Sequence, residues 1–118
     1  MLTLLKIKEI LQLIGVISTI LIGLFALIAP ARIEGFTGLS PVGGRGITEI
    51  RSIFGALFIG LGVAAFLLER SVAYPMLGIT YLAIGIVRLP SMFVDQSIEQ
   101  SNIISVVFEL IFGILLII

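Results

Sequence analysis

Four ionisable side chains lie inside stretches otherwise built from Leu, Ile, Val, Phe, Ala and Gly: Glu49, Arg51, Arg88 and Glu109. The run VVFELIFGILLII at the C-terminus holds the sharpest case, where Glu109 is the one residue that is neither apolar nor glycine. In a low-dielectric setting a carboxylate and a guanidinium can do three things. They can form a structural ion pair, hold a small polar molecule or lipid headgroup, or carry a proton. The chain has no Cys and no His. That removes disulfides, thiolate chemistry, the usual zinc and haem ligands, Ser-His triads and histidine pH switching. An enzyme here would have to work with carboxylate, Arg and Tyr alone, so no catalytic residue, metal site or cofactor is assigned.

Composition says what surrounds these groups. Of 118 residues, 59% are hydrophobic and 12% charged, about half the charged fraction of a soluble domain. Mean hydropathy is +1.31, which places the chain among integral membrane proteins. Lys and Arg balance Asp and Glu at seven each, so no basic field exists to attract nucleic acid. The expected partner is the lipid bilayer.

Four stretches are long enough to cross roughly 30 Å of hydrocarbon at a helical rise of 1.5 Å per residue. They run from about Glu9 to Ala29, Ile47 to Leu68, Val72 to Val94, and Ile98 to Ile118. Lys6 and Lys8 before the first span, and Ala29-Pro30-Ala31 after it, mimic a cleavable leader. The apolar stretch is longer than a leader's usual 7–15 residues, so a retained span is expected. PARIEGFTGLSPVGGRG is the one substantial loop; within it ARIEGF could form one interfacial turn with Phe36 inward. A tight turn at Glu69-Arg70-Ser71 joins spans two and three. DQSIEQSN joins spans three and four, with Ser97 and Gln100 spaced as a capping box. Short connections make neighbours antiparallel, so the predicted fold is all-α: a single-domain, integral membrane four-helix up-down bundle over residues 1–118. Lys6, Lys8 and Arg70 against Arg32 and Arg45 favour both termini in the cytoplasm.

Up-down topology turns sequence position into depth. The start of span two, the end of span three and the start of span four share one side, so Glu49, Arg51, Arg88 and Glu109 fall in one half of the bilayer. Arg88 and Glu109 lie at similar depth on sequential helices, which predicts a pairing of Glu109 with Arg88 or Arg51. Glu49 and Arg51 also fit as interfacial charges at a helix start, where the dipole favours Glu49. Helical spacing turns these groups inward. Ser105, Glu109 and Gly113 share a stripe, as do Tyr74, Gly78, Tyr81, Gly85 and Arg88. Span one offers Gln12, Gly15, Thr19 and Gly23, and span two carries Ser52, Ala56, Gly60 and Ala64 at four-residue intervals. Rows of small residues let helix backbones approach in lipid, so Ser52, Ala56, Gly60, Ala64, Gly78, Gly85 and Gly113 are the predicted packing positions. Pro90 frees the carbonyl of Ile86 and is expected to kink span three. Tyr74 and Arg70 read as interface anchors.

Three segments together resemble a known family. ITEIRSIFGALFIGLG, GIVRLPSMFVDQS and FELIFGILLI are similar to the second, third and fourth spans of small bacterial four-span membrane proteins, domain of unknown function 4345. The resemblance covers nearly the whole chain, including Pro30 and Gly38-Leu39. It implies that Glu49, Arg51, Arg88, Asp95 and Glu109 are the family's polar positions. Pro90 stands where an aliphatic residue is usual, and Gln96 where a glycine is usual. The family implies no activity. A looser likeness to four-span bundles of the DoxX type, some of which accompany quinone-linked oxidoreductases, is fold-level analogy.

Three function classes follow. The favoured one is a small noncatalytic membrane protein acting by helix packing, as an accessory or assembly subunit of a membrane complex, with other membrane subunits or its own copies as partners. The alternative is binding or transport of a small molecule, lipid or proton at Glu49, Arg51, Arg88 and Glu109; a four-helix bundle is narrow, so transport would call for a dimer. The third is an enzyme.

Overall fold

The computed structural model describes residues 1–118, and the chain is all-α. Helix α1 spans Leu2–Ile28. It stops before Pro30, which opens a 3-10 turn over Pro30–Ile33 at the position where a missing N–H costs nothing. A single helical turn, α2, follows at Glu34–Thr37 and ends on Gly38 at φ 75°, a left-handed conformation that glycine adopts freely. Helix α3 covers Gly43–Leu67, α4 Arg70–Val94 and α5 Gln100–Ile117. All four long helices are long and apolar enough to cross a membrane. Helix α3 starts four residues earlier than hydropathy alone places it, because Gly43, Gly44 and Arg45 already wind as its first turn.

The surface explains the composition. Leu, Ile, Val and Phe point outward along every long helix, while Gln12, Thr19 and Glu109 are buried. In water such a surface would drive aggregation. In hydrocarbon it is the expected arrangement, with outer residues matching lipid and inner small and polar residues letting the helices close. The four-helix protein is therefore a membrane protein.

By contact the chain divides into two compact units. The first contains Met1–Gly15 and Leu68–Ile118. Its centre is the antiparallel pair α4 and α5, held close by glycines. A Cβ on Gly78 would lie 2.7 Å from the carbonyl oxygen of Gly113, and one on Gly113 would lie 2.7 Å from Leu82 Cγ. Phe108 links the two helices through an edge-on contact with Tyr81, ring centroids 5.4 Å apart, and packs on Phe112 at 4.6 Å. The N-terminal half of α1 crosses Phe112 at Gly15, where a Cβ would approach the ring to 2.6 Å.

The second unit is Val16–Leu67. Here the rest of α1 runs antiparallel to α3. Gly23 faces the backbone of Gly55 and Ile59, Gly55 faces Leu27, and Gly62 faces Ile20. Ala26, Ile33, Ile50 and Phe54 close one end. The inward residue of the loop is thus Ile33, which is buried, and not Phe36, which is half exposed; Ile33 leads out of the 3-10 turn toward α3, whereas Phe36 falls on the outer side of α2.

Helix α3 contains a π turn over Ile50–Ala56, in which the Leu57 N–H reaches back to the Ser52 carbonyl. This wider turn corrects the packing row expected in span two. Ser52, Ala56 and Gly60 are exposed, and a Cβ on Gly60 would meet nothing within 4 Å. The contact face carries Gly55, Gly62 and Ala65 instead, with Ala64 half buried beside it. Both rows consist of small residues, and periodicity alone could not choose between them.

Candidate functional site

Arg88 comes from α4, one turn beyond Gly85. Opposite, α5 presents Asn102 and Glu109, seven residues apart and so on one face two turns from each other. Gly85 lets the helices approach at this level, since a Cβ there would lie 3.3 Å from Glu109 Cβ and 3.0 Å from Leu110 Cδ2. The Arg88 guanidinium spans the gap between the two α5 residues. Its Nε donates to Glu109 Oε1 at 2.8 Å, its Nη2 to Glu109 Oε2 at 2.9 Å, and its Nη1 to Asn102 Oδ1 at 3.0 Å. Asn102 Nδ2 in turn donates to the Ser97 carbonyl at 2.8 Å. The guanidinium therefore reaches from the deep carboxylate to the level of the α4–α5 connection.

Burial is uneven across the pair. The Glu109 side chain is 8% exposed and that of Arg88 32%. A fork-on-fork contact of this kind is among the stronger charge-assisted geometries. No buried side-chain nitrogen or oxygen lacks a partner. Beside the pair lies an open groove of about 580 Å³, whose polar lining is Arg88, Ser91, Asp95, Ser97 and Asn102. Ser91 Oγ donates to the Val87 carbonyl at 2.7 Å. An arginine has five N–H groups; three of Arg88's are used in these bonds, which leaves two.

The end of α4 shapes the groove's outer rim. The helix continues through both Pro75 and Pro90 to Val94. It closes with the Ser97 N–H bonded to the Met92 carbonyl at 2.9 Å, the long bond of a Schellman cap. Gln96 occupies the left-handed position at φ 53°. Ser97 does not cap α5: Glu99 is the N-cap, without a side-chain bond. The capping-box reading is corrected here because α5 starts at Gln100, so a cap at Ser97 would precede the first helical residue by too much.

The other two residues of the predicted cluster, Glu49 and Arg51, lie in the second unit. Glu49 pairs with Arg45 one turn earlier on α3, an exposed i,i+4 contact of small energetic value. Arg51 is exposed in the π turn and belongs to neither ion pair.

A second polar locus sits in the first unit. Buried Gln12 donates from Nε2 to the Leu115 carbonyl at 2.6 Å and accepts from Arg70 Nη2 at 2.8 Å. Arg70 lies over the Tyr74 ring, 4.4 Å from its centroid, and Lys8 Nζ reaches the Ile118 carbonyl at 3.0 Å. One ammonium and one side-chain amide thus donate to carbonyls at the C-terminal end of α5, where the helix leaves them unpaired. The Arg70–Tyr74 contact makes the buried Tyr74 ring a stacking surface for the guanidinium.

Sequence reasoning passed over Asn102. Its signal was present, because Asn102, Ser105 and Glu109 follow three- and four-residue steps on one helical face. No curated protein and no solved structure matches the chain. Residues 7–118 match the family model described as Domain of unknown function (DUF4345), and the chain belongs to that family.

Proposed function

We propose that this is a noncatalytic membrane protein that works through its helix faces, as an accessory or assembly subunit of a larger complex. We place it in a prokaryotic cytoplasmic membrane with both termini on the cytoplasmic side. The observation that carries the reading is the closure of the Glu109 carboxylate, whose two oxygens both accept from Arg88. A carboxylate whose two oxygens are both taken up by the neighbouring helix holds that helix pair together. The outward apolar faces of the long helices provide the surface for partner helices. Affinity isolation from native membranes in mild detergent, followed by mass spectrometry, tests the reading. Partner membrane polypeptides in comparable amounts are expected. Recovery of the protein without any would refute it.

One observation favours a second reading, in which the Arg88 region binds a small molecule or lipid. It is the open groove beside a guanidinium that retains two donors.

A further inference from the structure

The groove at the α4–α5 connection has a polarity gradient along the helix axis. Ala83, Ile84 and Val87 line its inner part; beyond Arg88 the lining is mostly polar, with Ser91, Asp95 and Ser97 beside Met92. Ala83 to Asp95 corresponds to about 18 Å of helix at 1.5 Å per residue. That matches one amphiphile lying along the helix, with its tail on the apolar section and its head at the connection. Val87 within the groove is exposed, so a molecule already in the bilayer can reach it without crossing water.

Charge selects among headgroups. Glu109 neutralises Arg88, and Asp95, exposed at the rim, takes part in no ion pair. The groove is therefore net negative and opposes an anionic headgroup. It still offers two guanidinium N–H groups, held near the connection by the Asn102 bond. A headgroup with a phosphate followed by a primary ammonium satisfies both ends. The phosphate oxygens accept from Arg88, and the ammonium donates to Asp95. A quaternary choline has no N–H to donate, and a glycerol headgroup leaves the phosphate's negative charge without a cation to offset it.

We infer that this groove is a binding site for a phospholipid of the phosphatidylethanolamine class. The inference rests on the second reading above, that the Arg88 region binds a ligand. The test is native mass spectrometry of the full chain released from mixed micelles containing phosphatidylethanolamine, phosphatidylglycerol and phosphatidylcholine in equal amounts. Preferential retention of one phosphatidylethanolamine is expected. Asp95→Asn should lower that retention about tenfold, the loss typical of a hydrogen bond to a charged group. Glu99→Gln, a nearby change outside the groove, should leave it unchanged. Equal retention of the three lipids, or insensitivity to Asp95→Asn, would overturn the headgroup assignment while leaving a ligand groove in place. Retention of no lipid, or burial of the groove by a second copy of the chain, would overturn the groove as a lipid site and the second reading with it.

Discussion

Breaking the Arg88–Glu109 contact from each side, and then from both, measures what the pair contributes. Arg88→Met leaves a carboxylate that is 8% exposed with two unmet oxygens. Stranding one member of a buried pair costs ~3–5 kcal/mol. The lower end applies, because the 32% exposure of Arg88 shows that water reaches one side of the site. Glu109→Gln is milder. The amide oxygen still accepts from Nε, and Asn102 still holds Nη1, so the loss is one charged hydrogen bond plus the attraction, ~1.5–3 kcal/mol. Independent effects would sum to about 5 kcal/mol. The double variant strands no charge and should recover about 2 kcal/mol of that sum. Reversible unfolding by denaturing detergent, followed by far-ultraviolet circular dichroism for all four proteins, gives the cycle. Additivity within ~0.5 kcal/mol would refute the argument that the two side chains stabilise each other. Partner isolation with the folded double variant then separates a structural pair, which preserves the complex, from a working site, which does not.

Three further outcomes are expected. Gly78→Ala should destabilise by ~1–3 kcal/mol, since the new Cβ meets a backbone oxygen that cannot rotate away; Gly60→Ala, in open space, should be neutral or stabilising by up to ~1 kcal/mol. Thermal melting in one detergent compares the two, and equal losses would mean that Gly60 is covered in the native protein. Gln96→Gly should stabilise by ~0.5–1 kcal/mol in the same assay, because it relieves the left-handed strain at φ 53° against a modest gain in unfolded-chain freedom. Cysteines introduced at Ser40 and Ser71 should be labelled from opposite faces of the membrane; labelling of both from one face would contradict antiparallel spans.

Hydropathy made the four helices legible, because nearly every outward residue is apolar and the breaks fall at Pro30, Pro41-Gly43-Gly44, Glu69 and Asp95-Gln96. The inward stripe of α1 was equally clear: Gln12, Gly15, Thr19 and Gly23 are all buried. Arg88 and Glu109 could be matched in depth because each is a lone charge on its stretch of helix. Asn102 was harder to weigh, since a polar residue in a first helical turn has ordinary solvent-facing uses. The face of α3 was not readable at all. A π turn leaves no periodic trace, and two adjacent rows of small residues compete for the same role. Gln96 shows the converse, as a residue other than glycine stands where the backbone, at φ 53°, favours glycine.

The π turn has a consequence for how this chain can change length. A regular helix that loses one residue turns everything beyond the deletion by about 100°, which would swing Gly62 and Ala65 away from Ile20. Between Ile50 and Ala56 the helix already holds one residue more than an α-helix needs to join the same two faces. Removing a residue there would convert the wide turn to an ordinary one and leave both flanking faces where they are. Shorter and longer forms of α3 can therefore interconvert at that point through folded intermediates, while a deletion in the regular turns on either side would unseat the helix.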